Sequence, residues 1–255
     1  MTTHRAATPP PPDAPRLRVG LIGAGRAGVV MAAALARAGH ETVAVSAVSD
    51  ESRDRAAAVL PGVPVRDAMA VPKDADLVLL AVPEAELTAL VSGLVATRAL
   101  HPGQILVHLH PAEGIGVLEP AVGCDVLPLA IHPAVALAGR PSDVDRLVGA
   151  SCAVTTLRAL RPLAEALVLE IGGEPVWIEE EDRIAYAAAL AAVRDSIAGV
   201  IGAAGVVLAD CGIDHVDRML GPLAHSATEE ALEASSVSAQ RSVDRPSPHT
   251  PKEHS

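Results

Sequence analysis

The chain has 255 residues, room for one large domain or for a medium domain and a small one. Its 20 Lys plus Arg stand against 31 Asp plus Glu, a formal charge of −11 at pH 7. That excess of acid argues against nucleic acid or an anionic membrane as a partner. Half of the residues are hydrophobic, which excludes global disorder. With no Phe, one Trp (Trp177) and one Tyr (Tyr186), the core must be filled by Ala, Val and Leu. Cys124, Cys152 and Cys211 are widely spaced and motif-free, so neither a disulfide scaffold nor a cysteine zinc site follows, and a reducing cytoplasm fits. No basic, apolar and cleavable leader is read in the first 35 residues. The longest apolar run, thirteen residues at 197–209, is too short to span a bilayer. A soluble cytoplasmic protein is expected.

Residues 1–15 read as a disordered lead-in, since five of the seven residues from Pro9 to Pro15 are proline. Short apolar runs then predict buried strands at 17–22, 42–48, 77–82, 105–109, 126–131, 152–155 and 175–178. Helical patterns fall between them at 26–38, 51–60 and 84–99, with a further amphipathic helix at 158–171 stopped by Gly172-Gly173. Near-continuous Val/Leu strands alternating with helices predict an α/β fold, a doubly wound, mainly parallel Rossmann sheet. A small all-helical domain follows it. Residues 183–210 read as one long helix and 214–233 as one or two more. The boundaries expected are 16–180 for the sheet domain, 181–233 for the helical domain and 234–255 for a disordered tail. Gly199, Gly202 and Gly205 each weaken the long helix by roughly 1 kcal/mol relative to Ala, so close packing against another helix or a second subunit is expected there.

The sharpest chemical signal is G-x-G-x-x-G at Gly23-Ala24-Gly25-Arg26-Ala27-Gly28, directly after a strand and before a helix. Gly23 makes the turn, Gly25 admits a pyrophosphate to the backbone, Gly28 lets helix pack on strand, and the helix start offers free N–H groups. In NAD enzymes an acid ends the second strand and takes the ribose 2′-hydroxyl. Here Ser46 and Ser49 stand there with Arg53 following, a set suited to a 2′-phosphate. NADP is therefore favoured over NAD, although Asp50 counts against this and Glu51-Ser52-Arg53 also reads as an ordinary helix start. Val82-Pro83, at the end of the strand 77–82, should border the cofactor.

His108, His110 and His132 lie near the ends of neighbouring strands. H-x-H points two rings to one face, but no acidic ligand supports a metal site, and none is expected. His110 and His132 border the expected cleft, where an imidazole can hold a substrate or pass a proton. Asp195, with Arg194, is the only charge within 187–209 and reads either as a third catalytic group or as an exposed stripe. Tyr186 reads more readily as a core aromatic than as a proton donor.

The segments RVGLIGAGRAG, ADLVLLAVPEAEL and LPLAIHPAVALAG resemble a family of Rossmann-like oxidoreductases that join an NADP-binding domain to a C-terminal helical domain of unknown function. That domain is similar to the 6-phosphogluconate dehydrogenase C-terminal domain. The wider kin are pyrroline-5-carboxylate reductase, prephenate dehydrogenase and 3-hydroxyisobutyrate dehydrogenase. The resemblance spans roughly 16–225 and implies NADP use and a homodimer built through the helical domain. The family's Gly-rich loop falls on Gly23, Gly25 and Gly28, and its His-Pro on His132-Pro133. The chain departs from the family at His110-Pro111, at Ala187 after Tyr186, and at Asp195-Ser196. Two readings follow. One is an NADP-dependent oxidoreductase of a small polar carbonyl, imine or hydroxy-acid substrate, with His132, His110 or Asp195 handling proton and substrate. The other is a non-catalytic dinucleotide-binding sensor or partner protein.

Overall fold

The computed structural model describes residues 16–243, with side chains to residue 235. The expected lead-in at 1–15 and the end of the expected tail, 244–255, lie outside the described residues. The strands are β1 (Arg18–Ile22), β2 (Glu41–Ser46), β3 (Leu77–Leu80), β4 (Ile105–His108), β5 (Leu127–Pro133), β6 (Ser151–Thr156) and β7 (Glu174–Trp177). They form one sheet in the order β2-β1-β3-β4-β5-β6-β7. Every pair is parallel except β5–β6.

The helices α1 (Arg26–Arg37), α2 (Asp50–Val59), α3 (Glu84–Ala96), α4 (Glu119–Val122) and α5 (Arg161–Glu170) intervene. Two apolar layers result. One joins Val29, Val30 and Leu35 of α1 to Leu21, Leu79 and Ile131 of the strands. The other joins Leu87, Val91 and Leu94 of α3 to Val78, Leu80 and Leu106. Burial on both faces is why these strands are runs of Val and Leu without alternation. The doubly wound, mainly parallel sheet expected from the sequence is thus the fold, and a helical region follows it.

Several boundaries differ for local reasons. The segment 158–171 begins as a 3-10 turn, and α5 proper starts at Arg161 with Pro162 in its first turn, where a missing N–H costs nothing. Gly172 ends it at φ +85°, as the Gly-Gly stop predicts. After these come α6 (Arg183–Asp210) and α7 (Val216–Val243), each 28 residues. Of the one or two helices expected at 214–233 there is one, with Pro222 inside it, and it continues ten residues past Glu233 into the expected tail.

The described residues divide into two compact units after Leu190, later than the expected break at 180, because the first turns of α6 are bonded to the sheet through Arg183 and Tyr186. The run 197–209, too short by itself, is part of a longer apolar helix. Glu180–Asp210 is long and apolar enough to cross a membrane by length and composition, with a mean hydropathy of 1.6, because the helix carries its apolar character across Arg194 and Asp195. A core helix of a soluble protein passes the same test.

Candidate functional site

The chain leaves β1 for β2 on one side and returns to β3 on the other, so the carboxyl end of β1 is a switch point where α/β sheets take ligands. Gly23 turns there at φ +89°, a conformation that disfavours any Cβ. An added Cβ on Gly23 or Gly25 would also lie 2.7 or 2.9 Å from the Ala81 carbonyl oxygen. On Gly28 it would lie 2.4 Å from the Ala81 Cβ. Gly25 is the N-cap of α1, without a side-chain cap and with no acid in the first turn. The helix start therefore keeps its free N–H groups and its positive end.

The other expected cofactor residues surround this turn. Ser46, buried at the end of β2, accepts the Gly23 N–H at 3.0 Å and so fixes the turn. Ala24 is buried, and its carbonyl accepts Arg55 Nη1 at 2.7 Å. Ala27 packs on the first apolar layer, and Arg26 is exposed. Ser49 is the N-cap of α2, accepting the Ser52 N–H at 3.1 Å, and Arg53 pairs with Asp50 at 2.7 Å. The segment 49–53 thus has the features of a capped helix start, with Ser49 and Arg53 both exposed. Pro83 caps α3, and the Val82 carbonyl accepts His110 Nε2–H at 2.7 Å.

Since a carbonyl only accepts, that bond fixes the tautomer of His110 and leaves its Nδ1 a proton acceptor. His108 is fully buried; its Nε2–H donates to the Gly114 carbonyl at 2.7 Å, and its Nδ1 accepts the His110 N–H at 3.2 Å. Both its nitrogens serve the backbone, which leaves none for a metal. Among the described residues no group of three or more His, Cys, Asp or Glu is placed to hold one. Burial, opposed by the hydrogen bond to Gly114 and helped by the Arg183 charge, pushes the His108 imidazole down to about 3.

His132, at the end of β5, shares a 2.9 Å hydrogen bond with the Tyr186 hydroxyl through Nδ1, ring edge to face. Burial, then Arg183 and His110, lower it to about 4, so it is neutral at physiological pH. Burial raises the Tyr186 phenol above its ordinary value. Asp195 lies in the helical unit as an exposed carboxylate accepting from Arg194 at 3.0 Å. The structure thus groups His108, His110, His132 and Val82 at adjacent strand ends, whereas Asp195 belongs to the other compact unit.

Sequence reasoning missed Arg183. It is fully buried and donates from Nε to Thr155 Oγ1 at 2.7 Å and from Nη2 to the Ala130 and Ala153 carbonyls at 3.0 and 3.2 Å. Following Glu179-Glu180-Glu181-Asp182, it reads as one more member of a solvated charge run, so the sequence gives no signal of its burial. Glu180 is a second such residue, accepting the Ile115 and Gly116 N–H groups at 2.8 and 2.9 Å.

A doubly wound parallel sheet with a glycine turn at its switch point defines the Rossmann class of α/β folds. Residues 7–133 match the Rossmann-like domain family, residues 150–241 match a domain of unknown function, DUF2520, and the chain is a protein that joins these two domains. No curated protein matches it. Among solved structures it is similar to a Bacteroides fragilis protein provisionally described as an NADP oxidoreductase, at 18% identity and a TM-score of 0.70, over 84% of this chain and 80% of that one. It is also similar to Plasmodium falciparum pyrroline carboxylate reductase with NADP bound (12%, TM-score 0.61, 92% and 86%). A third is an imine reductase from Myxococcus stipitatus in complex with NADP+ (17%, TM-score 0.63, 91% and 80%). At these identities the likeness is one of fold.

Proposed function

We propose that the protein is an oxidoreductase that uses NADP, in preference to NAD, on a small polar substrate: a carbonyl or imine compound, or a hydroxy acid. The observation that carries this reading is the uncapped, acid-free start of α1 beside the Gly23–Gly25 turn at the switch point. These residues suit a dinucleotide: the N–H groups of the turn and of the first turn of α1 would take the pyrophosphate. Ser46 holds the turn, and Val82-Pro83 would border the ring. When bound, the nicotinamide supplies or accepts a hydride. Strand β2 ends without an acid, which favours the 2′-phosphate, with Ser49 and Arg53 as its partners. Arg53 would exchange an exposed ion pair worth about 0–1 kcal/mol for that phosphate.

His110 Nδ1 would accept a proton. His132, when its Nδ1 accepts from the Tyr186 hydroxyl, offers Nε2–H to a substrate oxygen or nitrogen. Asp195, an exposed carboxylate, is the third residue proposed to handle proton or substrate. The solved NADP complexes of similar fold support the reading. A non-catalytic dinucleotide-binding protein is the second reading, favoured by the way Arg194 and Asp195 satisfy each other.

We also infer a soluble homodimer through the helical unit. Val193, Val200, Val206 and Val207 of α6 are exposed, and the open faces of Gly199 and Gly202 meet nothing within 4 Å among the described residues. A second copy would supply the close packing expected there, since among the described residues only Gly205 of the three has a neighbour, Val216 at 3.6 Å. Calorimetric titration with NADPH and separately with NADH tests the main reading. Tight binding of NADPH alone is expected, and no binding of either refutes the dinucleotide assignment. Sedimentation equilibrium in detergent-free buffer tests the dimer, and a monomer refutes it.

A further inference from the structure

We infer that Arg183 is the receptor for a carboxylate on the substrate, a proposal that rests on the oxidoreductase reading above and narrows it to acids. A guanidinium stays charged in any protein setting, and one withdrawn from water needs an opposite charge as well as hydrogen bonds. Arg183 has the hydrogen bonds and lacks the charge. Its three acceptors, Thr155 Oγ1 and the Ala130 and Ala153 carbonyls, are all neutral. Its remaining nitrogen, Nη1, is sealed from solvent and has no hydrogen-bond partner among the described residues. Buried donors left without an acceptor are rare and mark a missing group.

Among the described residues no carboxylate forms an ion pair with the guanidinium. Glu180 is the carboxylate whose charge reaches Arg183, but its oxygens are engaged by the Ile115 and Gly116 N–H groups, and it forms no ion pair with the guanidinium. The other groups that feel this charge are His108, His132 and Tyr186, all neutral at physiological pH. Beside Tyr186, burial keeps the Cys152 thiol protonated, its pKa raised to about 11. A water molecule would satisfy Nη1 but leave the charge uncompensated; a carboxylate oxygen does both.

The location fits a substrate. Arg183 is bonded to Ala130, and His132 lies two residues further along the same strand, on the same face. Tyr186, three residues along α6, is bonded to His132. Ala130 and His132 are two residues of strand rise apart, roughly 7 Å, so an acid received at Arg183 would lie along the strand toward His132. Because Nε and Nη2 are committed, the carboxylate is held end-on by one nitrogen rather than by the fork.

Tyr186 is the only tyrosine, so ring-labelled protein gives one unambiguous tyrosine signal. The full chain, with and without NADPH, is titrated with acetate, pyruvate and phenylpyruvate and with the matching amides. We expect at least one acid to shift the Tyr186 resonance saturably with a Kd at least tenfold below that of its amide, and R183Q to abolish that preference. Equal response to acid and amide, a preference that survives in R183Q, or sodium chloride shifting the signal as strongly as the acids overturns the inference. If R183Q does not fold, the acid-to-amide comparison on the native chain decides alone. NADPH binding is read on the same samples: its presence without an acid preference refutes the carboxylate site only, and its absence refutes the oxidoreductase reading.

Discussion

Replacing Gly28 by alanine tests how the glycine turn is built. In a helix interior this exchange ordinarily stabilises by about 1 kcal/mol. Here the new Cβ would lie 2.4 Å from the Ala81 Cβ, 3.0 Å from Leu21 Cδ1 and 3.1 Å from the Gly23 carbonyl oxygen. The leucine end can turn aside, but the Ala81 methyl cannot without moving β3 or α1, and overpacking of this kind costs about 1–3 kcal/mol. The net expectation for G28A is about 0–2 kcal/mol of destabilisation. Removing the obstructing methyl reverses the sign: in an A81G background, G28A should be neutral or stabilising by up to about 1 kcal/mol. The two changes then couple by at least about 1 kcal/mol. Gly25 provides the control, because its added Cβ meets the Ala81 carbonyl oxygen at 2.9 Å, which A81G leaves in place, so G25A should show no rescue. Urea unfolding of the wild type, the three single variants and the two double variants gives all the terms. Additive effects of G28A and A81G, or rescue of G25A, would refute the packing argument.

Three other outcomes are expected. R53Q should lower NADPH affinity about tenfold or more while leaving NADH unchanged, the loss of a charge-assisted bond worth about 1.5–3 kcal/mol; calorimetry reads both, and an equal fall for the two cofactors counts against a 2′-phosphate contact. His108 and His132 have folded pKa values of about 3 and about 4 against 6.5, so between pH 6.5 and 4 the unfolded chain binds protons that the folded chain refuses. Their contribution is complete above about pH 6.5 and is lost as the pH falls, by up to about 1.4 kcal/mol per pH unit for each histidine; denaturant midpoints across that range should fall in the wild type and less steeply in H108N. T155V takes the acceptor from Arg183 Nε and should destabilise by about 1–3 kcal/mol, a fall in Tm of a few degrees per kcal/mol; an unchanged Tm would show that the bond contributes little.

The sheet was legible because burial on both faces writes itself as apolar runs, and the glycine turn because a positive φ at Gly23 and the close Ala81 backbone leave little choice of residue. The partners within the turn were not. Ser46 is visible as a strand-end hydroxyl, but its bond to the Gly23 N–H joins residues 23 apart and depends on the parallel register of β1 and β2. Length was hidden in α7, whose last ten residues lack an apolar stripe, so no periodicity reveals the helix. Arg183 was hidden most completely. Its acceptors are two backbone carbonyls and a threonine, which carry no sequence signature, and its acidic neighbours in the chain disguise it as surface. Tyr186 was masked in turn, because its bond to His132 exists only where α6 returns to the sheet.

Strand β6 runs against β5 and β7 runs with β6, so the chain leaves the sheet at the opposite end from the carboxyl termini of β1–β5, where the glycine turn and His132 lie. It comes back as α6, anchored at Arg183. From there to Tyr186 the helix rises about 4.5 Å and rotates about 300°, which sets the phenol on nearly the same side as the guanidinium. That short span acts as a gauge between sheet and helix. One residue added inside it would swing Tyr186 through about 100° and part it from His132 while leaving the glycine turn untouched. Loss or gain of a residue between positions 183 and 186 is therefore a way for such a chain to lose the His132 contact and keep its dinucleotide fold.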